Sequence, residues 1–249
     1  MEAWGFTTYG DRFAAVYDRL YEGALPAEPA ADFLTGLAPG GRVLELGVGT
    51  GRLAIPLAER GLTVHGIDAS EAMVARLKEK PHGDRVKVFL GNFADGRAEG
   101  PYDLVACVFN TLFALTEQDE QVRCLQNAAA LLSPDGSIVL ECFVPDPTRF
   151  DRDQRVSANY VGLDSVIVDV ARHDSIRQHV MNQHVLISGG RAELYPVLIR
   201  YAWPSELDLM ARLAGLELQE RWAGWRREPF LPSSTMHVSV YRKKVEPDR

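Results

Sequence analysis

From residue 43 to residue 143, short apolar runs alternate with stretches of helical spacing. Residues 43–47 read as a strand and 52–60 as a helix closed by Gly61. Residues 62–67 form the next strand. A helix over 70–80 follows, with Ser70 as N-cap and Glu71 in its first turn. Strands over 86–90 and 103–109 come next, then a helix near 117–132 closed by Ser133-Pro134-Asp135-Gly136, then a strand over 137–143 that ends before Pro145. Strands alternating with helices of about 10–15 residues predict an α/β fold, with a mostly parallel sheet covered on both faces.

The flanks follow other patterns. Residues 1–36 read as helical, with Tyr9, Phe13, Tyr17, Leu20 and Tyr21 three or four apart and breaks at Pro26 and Pro29. After Pro145 the chain turns to runs rich in valine, isoleucine and tyrosine: 165–170, 184–188 and 192–201, the last two joined by a Gly189-Gly190 hairpin turn. These predict an antiparallel insert that walls a pocket. Pro204-Ser205-Glu206 opens a helix running to about Ala214, and 217–222 and 236–241 read as two closing strands. The chain thus divides into an N-terminal helical segment (1–38), a core (39–145), the insert (146–203), and a final helix with closing strands (204–249).

Composition narrows the class. The 249 residues are 46% hydrophobic and 24% charged, as in an ordinary globular protein. A formal charge of -7 and the lack of a basic stripe argue against a nucleic-acid partner; Arg221, Arg226 and Arg227, interleaved with Trp222 and Trp225, read as a solvated face. No apolar run approaches the length of a membrane span, and the opening residues do not read as a signal peptide. Cys107, Cys124 and Cys142 are odd in number and lack metal-ligand spacing. A cytoplasmic location and no bound metal are expected, and a homodimer is left open.

The chemistry concentrates at Glu45-Leu46-Gly47-Val48-Gly49-Thr50-Gly51, with Asp68 21 residues after Gly47 at the end of the next strand. A dinucleotide site wants a glycine at the sixth position of Gly-x-Gly-x-x-Gly, where this chain has Arg52. A phosphate cradle wants Gly-Lys-Ser/Thr, which is also missing. What survives is a nucleoside without phosphates, its tail at the glycine turn and its ribose hydroxyls on Asp68.

These residues resemble the first motif of the class I S-adenosylmethionine-dependent methyltransferases. The resemblance implies a Rossmann-like seven-stranded, mostly parallel sheet with helices on both faces, plus the antiparallel β insert. It also implies S-adenosylmethionine as cofactor. Glu45, Gly47, Gly49 and Gly51 would face its methionine part and Asp68 its ribose. Ala69 and Met73 would pack on the adenine, with Asn92 and Phe93 at the adenine edge. Val108, Phe109 and Asn110 would approach the sulfonium and the acceptor. Tyr17-Asp18-Arg19-Leu20-Tyr21 resembles a segment of small-molecule methyltransferases of natural-product pathways, including those acting on amino sugars. There it folds over the cofactor as a lid, which brings Tyr9 and Tyr17 to the site.

Methyl transfer is a one-step displacement, so the protein must align the reactants and keep the acceptor unprotonated. An amine near its pKa needs little help, whereas a hydroxyl needs a base, most simply histidine. His184 is the first candidate and His179 the second; His173 and His237 complete the set, and each also reads as packing. Asn110 could orient the acceptor. Trp203, Trp222 and Trp225 could enclose the substrate or close the core. The favoured expectation is transfer to a nitrogen of a small-molecule metabolite. Transfer to oxygen with a histidine base, to a peptide N-terminus, or cofactor binding by a noncatalytic sensor stand as alternatives.

Overall fold

A computed structural model describes residue 5, residues 7–21 and residues 27–244. Pro26 and Met1–Trp4 lie outside the described residues. Three short helices lead in: α1 (Thr8–Phe13), α2 (Tyr17–Tyr21) and α3 (Glu28–Leu37). Pro29 does not break a helix. It sits in the first turn of α3, where its missing N–H would be unpaired anyway.

The core sheet holds β1 (Arg42–Leu46), β2 (Thr63–Asp68), β3 (Lys87–Leu90), β4 (Tyr102–Cys107), β5 (Leu132–Phe143), β10 (Leu216–Trp222) and β11 (Met236–Lys243), in the order β10-β11-β5-β4-β1-β2-β3. β1, β2, β3, β4 and β5 pair in parallel, while β11 runs antiparallel to both β5 and β10. This is the mostly parallel seven-stranded sheet that the alternating pattern predicts.

Side chains alternate across the strands, so each face builds its own core. Leu44, Leu46, Val105, Ile138 and Leu140 pack against Cys124, Leu125 and Ala128 of α6 (Gln118–Leu131) and Leu207 and Met210 of α7 (Pro204–Leu213). Val43, Val64, Leu104, Ala106 and Val139 pack against Leu34 of α3, Leu57 of α4 (Ala54–Glu59) and Leu77 of α5 (Glu71–Glu79). The chain reverses its direction of travel through the sheet between β1 and β4. The carboxyl ends of these strands open a crevice there, where ligands of such folds bind.

Three local expectations need correction. Ser133–Gly136 does not separate α6 from a strand starting at 137. Pairing begins at once, with Leu132 opposite Tyr102, and the turn residues form a bulge before Ser137 meets Leu104. The helix expected over 52–60 shortens to α4, because Arg52 and Leu53 finish the glycine turn. The insert is larger than its apolar runs indicate: a four-stranded meander of β6 (Gln154–Val161), β7 (Ser165–Asp174), β8 (His179–Ser188) and β9 (Arg191–Arg200). β6 is an exposed edge strand with mixed polarity, so it carries little periodic signal.

The insert is tied to the core by a buried polar knot. Arg200 donates to Gln121 Oε1 at 2.7 Å, to Glu206 Oε1 at 2.7 Å and to Gln178 Oε1 at 3.0 Å. Among the described residues, no helix is long and apolar enough to cross a membrane.

Candidate functional site

The turn after β1 is left-handed at three positions, with φ of 70° at Gly47, 54° at Gly49 and 79° at Gly51. A Cβ on Gly47 would stand 2.4 Å from the Thr111 methyl, whereas one on Gly49 would meet almost nothing. Gly49 therefore presents bare backbone to open space, which is what a close-lying ligand needs.

Asp68 fastens this turn to the next one. Its Oδ2 accepts from Gly49 N–H at 2.7 Å, and its Oδ1 accepts from Ser70 N–H at 2.9 Å. Burial raises its pKa, and the Ser70 and Gly49 N–H groups oppose that rise. Each carboxylate oxygen keeps a second lone pair for a ligand hydroxyl. Glu45, one turn away, is only 4% exposed, and its Oε2 has no partner among the described residues. Burial pushes its pKa up to about 8, with Arg52 pulling down and Asp68 adding to the rise.

The N-terminal helices lie over this end. Gly10 of α1 rests so close to Ser70 that a Cβ would fall 2.4 Å from the serine Cβ. Ser70 Oγ donates to Asp11 at 2.7 Å. Thr50 Oγ1 and Lys80 Nζ both donate to Asp18 Oδ1, each at 2.7 Å. Tyr17 and Tyr21 of α2 pack together, and Tyr21 meets the Phe109 ring edge-on at 5.3 Å. The Arg52 guanidinium stands over the Phe109 ring, 5.0 Å from its centroid. Burial pushes the Tyr17 phenol up to about 12, against the pull of Arg52, and raises Tyr9 as well.

At the end of β4, Phe109 and Asn110 are both left-handed, with φ of 54° and 61°. Glu141 holds this bend: its Oε2 accepts from Phe109 N–H at 2.7 Å and its backbone oxygen accepts from Asn110 N–H at 3.0 Å. Asn110 Oδ1 accepts from Phe143 N–H at 2.7 Å, which leaves its amide N–H groups and one lone pair for a ligand.

The inner face of the insert closes the far side. On β7 and β8, Asp169 stands opposite His184, and the imidazole Nδ1 hydrogen-bonds Asp169 Oδ1. Asn182 Nδ2 approaches the His184 ring at 3.3 Å, while its Oδ1 is buried with no partner among the described residues. Two residues beyond Ala171, His173 hydrogen-bonds Tyr201 through Nε2 at 2.9 Å and stacks on Phe150 at 4.7 Å.

These elements enclose a cavity of about 520 Å³. Tyr9, Tyr17, Gly47, Gly49, Asp68, Ala69, Met73, Phe93, Asn110 and His184, all singled out from the sequence, line it together. Glu45, Gly51, Asn92 and Val108 do not form its wall. Glu45 and Val108 are buried behind it, Gly51 packs toward Leu77, and Asn92 Oδ1 caps the Ala94 N–H at 2.9 Å. His179 lies elsewhere, with Nε2 against the Thr116 carbonyl at 2.8 Å. His237 is buried on β11 beside Ser239, and burial pushes its pKa down to about 4. Trp203, Trp222 and Trp225 are absent from the wall; Trp225 donates to Glu141 Oε1 at 2.8 Å.

Sequence reasoning missed Asp169, Asn182, Tyr201 and Arg155 of the lining. Asp169, Ala171 and His173 recur at the period of two that places them on one face of β7. That period runs on to His173, past the apolar run at 165–170, because β7 extends to Asp174.

Comparisons with known proteins agree on the class. A methyltransferase domain family matches residues 43–136. The Cypemycin N-terminal methyltransferase of a Streptomyces species is 29% identical over 208 residues, 82% of this chain and 84% of that protein. The putative methyltransferase YqeM of Bacillus subtilis is 30% identical over 177 residues, 64% of this chain and 70% of that protein. The solved structure of the CcbJ methyltransferase from Streptomyces caelestis superposes with a TM-score of 0.92 at 43% identity, covering 97% of this chain and 100% of that one.

Proposed function

Because this chain belongs to the class I S-adenosylmethionine-dependent methyltransferases, we propose that it methylates a nitrogen of a small-molecule metabolite held between the core and the insert. The residues present suit the cofactor. Gly49 offers bare backbone to the cavity, Asp68 keeps lone pairs for ribose hydroxyls, and Ala69, Met73 and Phe93 give an apolar slot for adenine. When bound, S-adenosylmethionine supplies an electrophilic methyl carbon on a sulfonium.

The protein's own part is positioning and proton handling. Within residues 1–38, the described helices act as a lid, with Tyr9, Tyr17 and Tyr21 as neutral phenols that exclude water. Residues 146–203 act as the substrate wall. His184 turns Nδ1 to Asp169, and its Nε2 lies 3.3 Å from Asn182 Nδ2, a contact that an incoming acceptor displaces when Nε2 takes its proton.

The observation that favours nitrogen is the unpartnered Oδ1 of Asn182 beside that histidine. An amine attacks with its lone pair and still has an N–H for Asn182, and the proton released from the product ammonium goes to His184. A hydroxyl has one proton; given to His184, it leaves Asn182 Oδ1 without a donor, which is costly in a buried site. The likeness to a methyltransferase named for an N-terminal acceptor supports the same choice. The test is incubation with S-adenosylmethionine and matched amines and alcohols, read by mass spectrometry for one added methyl. Gain on the amines alone is expected; gain on the alcohols alone would overturn the nitrogen assignment.

A further inference from the structure

The end of the cavity lined by Asp146, Arg149, Phe150, Arg155 and His173 has no part in the chemistry described above. Arg149 ends the short 3-10 turn after β5. Arg155 is on β6 directly opposite Ala171, which places it on the inner face beside Asp169 and His173. A guanidinium carries five N–H donors and no acceptor. Neither arginine has an acceptor among the described residues, and yet both line the cavity.

Among the described residues, none of the carboxylates nearby pairs with either arginine. Asp169 takes the His184 and Asn159 donors, and Asp146 Oδ1 takes the Thr148 N–H and hydroxyl. Asp153 is mostly exposed and stands 4.0 Å from His173 Nδ1. The stacked rings of Phe150 and His173 line the same cavity as the two arginines and offer it a flat face. Two arginines on one cavity, Arg149 exposed and Arg155 half-buried, with no protein acceptor among the described residues and a flat ring pair on the same lining, match a carboxylate on a small organic body.

We propose that the acceptor carries a carboxylate, held by Arg149 and Arg155 at the end of the cavity remote from the glycine turn. The inference rests on the methyltransferase reading and names the substrate class of that site: a carboxylate-bearing amine. Arg149 and Arg155 are then specificity residues. They set which amine enters and leave the cofactor end untouched.

The test uses the full chain saturated with S-adenosylhomocysteine, titrated by calorimetry with phenylacetate and with phenylacetamide as probes. The carboxylate should bind at least tenfold more tightly than the amide. That preference should vanish in Arg149→Ala/Arg155→Ala and partly survive in Arg155→Lys. The same variants should bind S-adenosylhomocysteine as the wild type does. Equal response to the two probes, including none to either, overturns the carboxylate site. Loss of S-adenosylhomocysteine binding by the wild type would instead strike the methyltransferase reading. Methylation of an amino acid and its carboxamide gives a second readout. A tenfold KM advantage for the acid that Arg155→Ala removes supports the proposal, and its absence contradicts it.

Discussion

Thr50 Oγ1 donates a 2.7 Å hydrogen bond to Asp18 Oδ1, so the middle of the glycine turn is fastened to α2, 32 residues earlier in the chain. Lys80 reaches the same two atoms, Asp18 at 2.7 Å and Thr50 at 3.0 Å. The ion pair alone is worth little, because both side chains are part-exposed. The buried threonine hydroxyl adds a partner that water does not readily replace. Asp18→Ala should weaken S-adenosylmethionine binding by roughly 3- to 10-fold, about 1 kcal/mol, with little change in melting temperature. Calorimetry and a thermal melt check both; unchanged affinity would detach α2 from the cofactor.

Glu45 gives a pH signature. Burial carries its pKa from 4.5 to about 8 in the folded protein. The folded state therefore keeps a proton that the unfolded chain gives up. The stability present below about pH 4.5 falls as pH rises toward about 8. Glu45→Gln retains the shape without the ionisation. Without cofactor, it should match the wild type at low pH and exceed it by roughly 2–4 kcal/mol above pH 8. Denaturant titrations across that range would contradict the assignment if the two curves stayed parallel.

The pair of His184 and Asn182 should separate in kinetics. His184→Ala should lower kcat by less than about tenfold with KM nearly unchanged, because the amine attacks with its own lone pair and the histidine takes a proton only from the product ammonium. Asn182→Ala should raise the amine KM by about tenfold and spare kcat, because it removes a hydrogen bond made equally in ground and transition states. A common loss in kcat for both variants would argue that they act only by holding the insert in place.

Gly47 tests the turn itself. Alanine there faces a φ of 70° and the Thr111 methyl at 2.4 Å. Gly47→Ala should destabilise the protein by roughly 2–3 kcal/mol, about 5–10 °C in Tm. A Tm within a degree of wild type would mean that the turn relaxes at no cost.

Much of this site was legible because it follows from short-range rules. Gly47, Gly49 and Asp68 announce themselves by spacing, and the residues after β2 follow from the strand's end. Tyr9 and Tyr17 were legible by helical spacing, although the contacts that fasten their helices, Ser70 to Asp11 and Lys80 to Asp18, come from another part of the chain. The insert was harder. Asp169 and His184 meet only through a pairing register that a one-residue slip would reverse, and β6 lacks the apolar alternation that would have fixed it. His179 ranks second to His184 in sequence, five residues away on the same strand. That odd spacing puts the two on opposite faces of β8, and His179 meets Thr116 and not the cavity.

The central claim is that the cavity binds S-adenosylmethionine through the carboxylate at the end of β2. Calorimetric titration of the cofactor into the wild type and Asp68→Ala measures it directly. The wild type should bind at one site per chain, and the variant should lose roughly 1–3 kcal/mol, because the ribose hydroxyls and the Gly49 N–H lose a charged acceptor. No binding by the wild type, or equal affinity in the two proteins, would contradict the account.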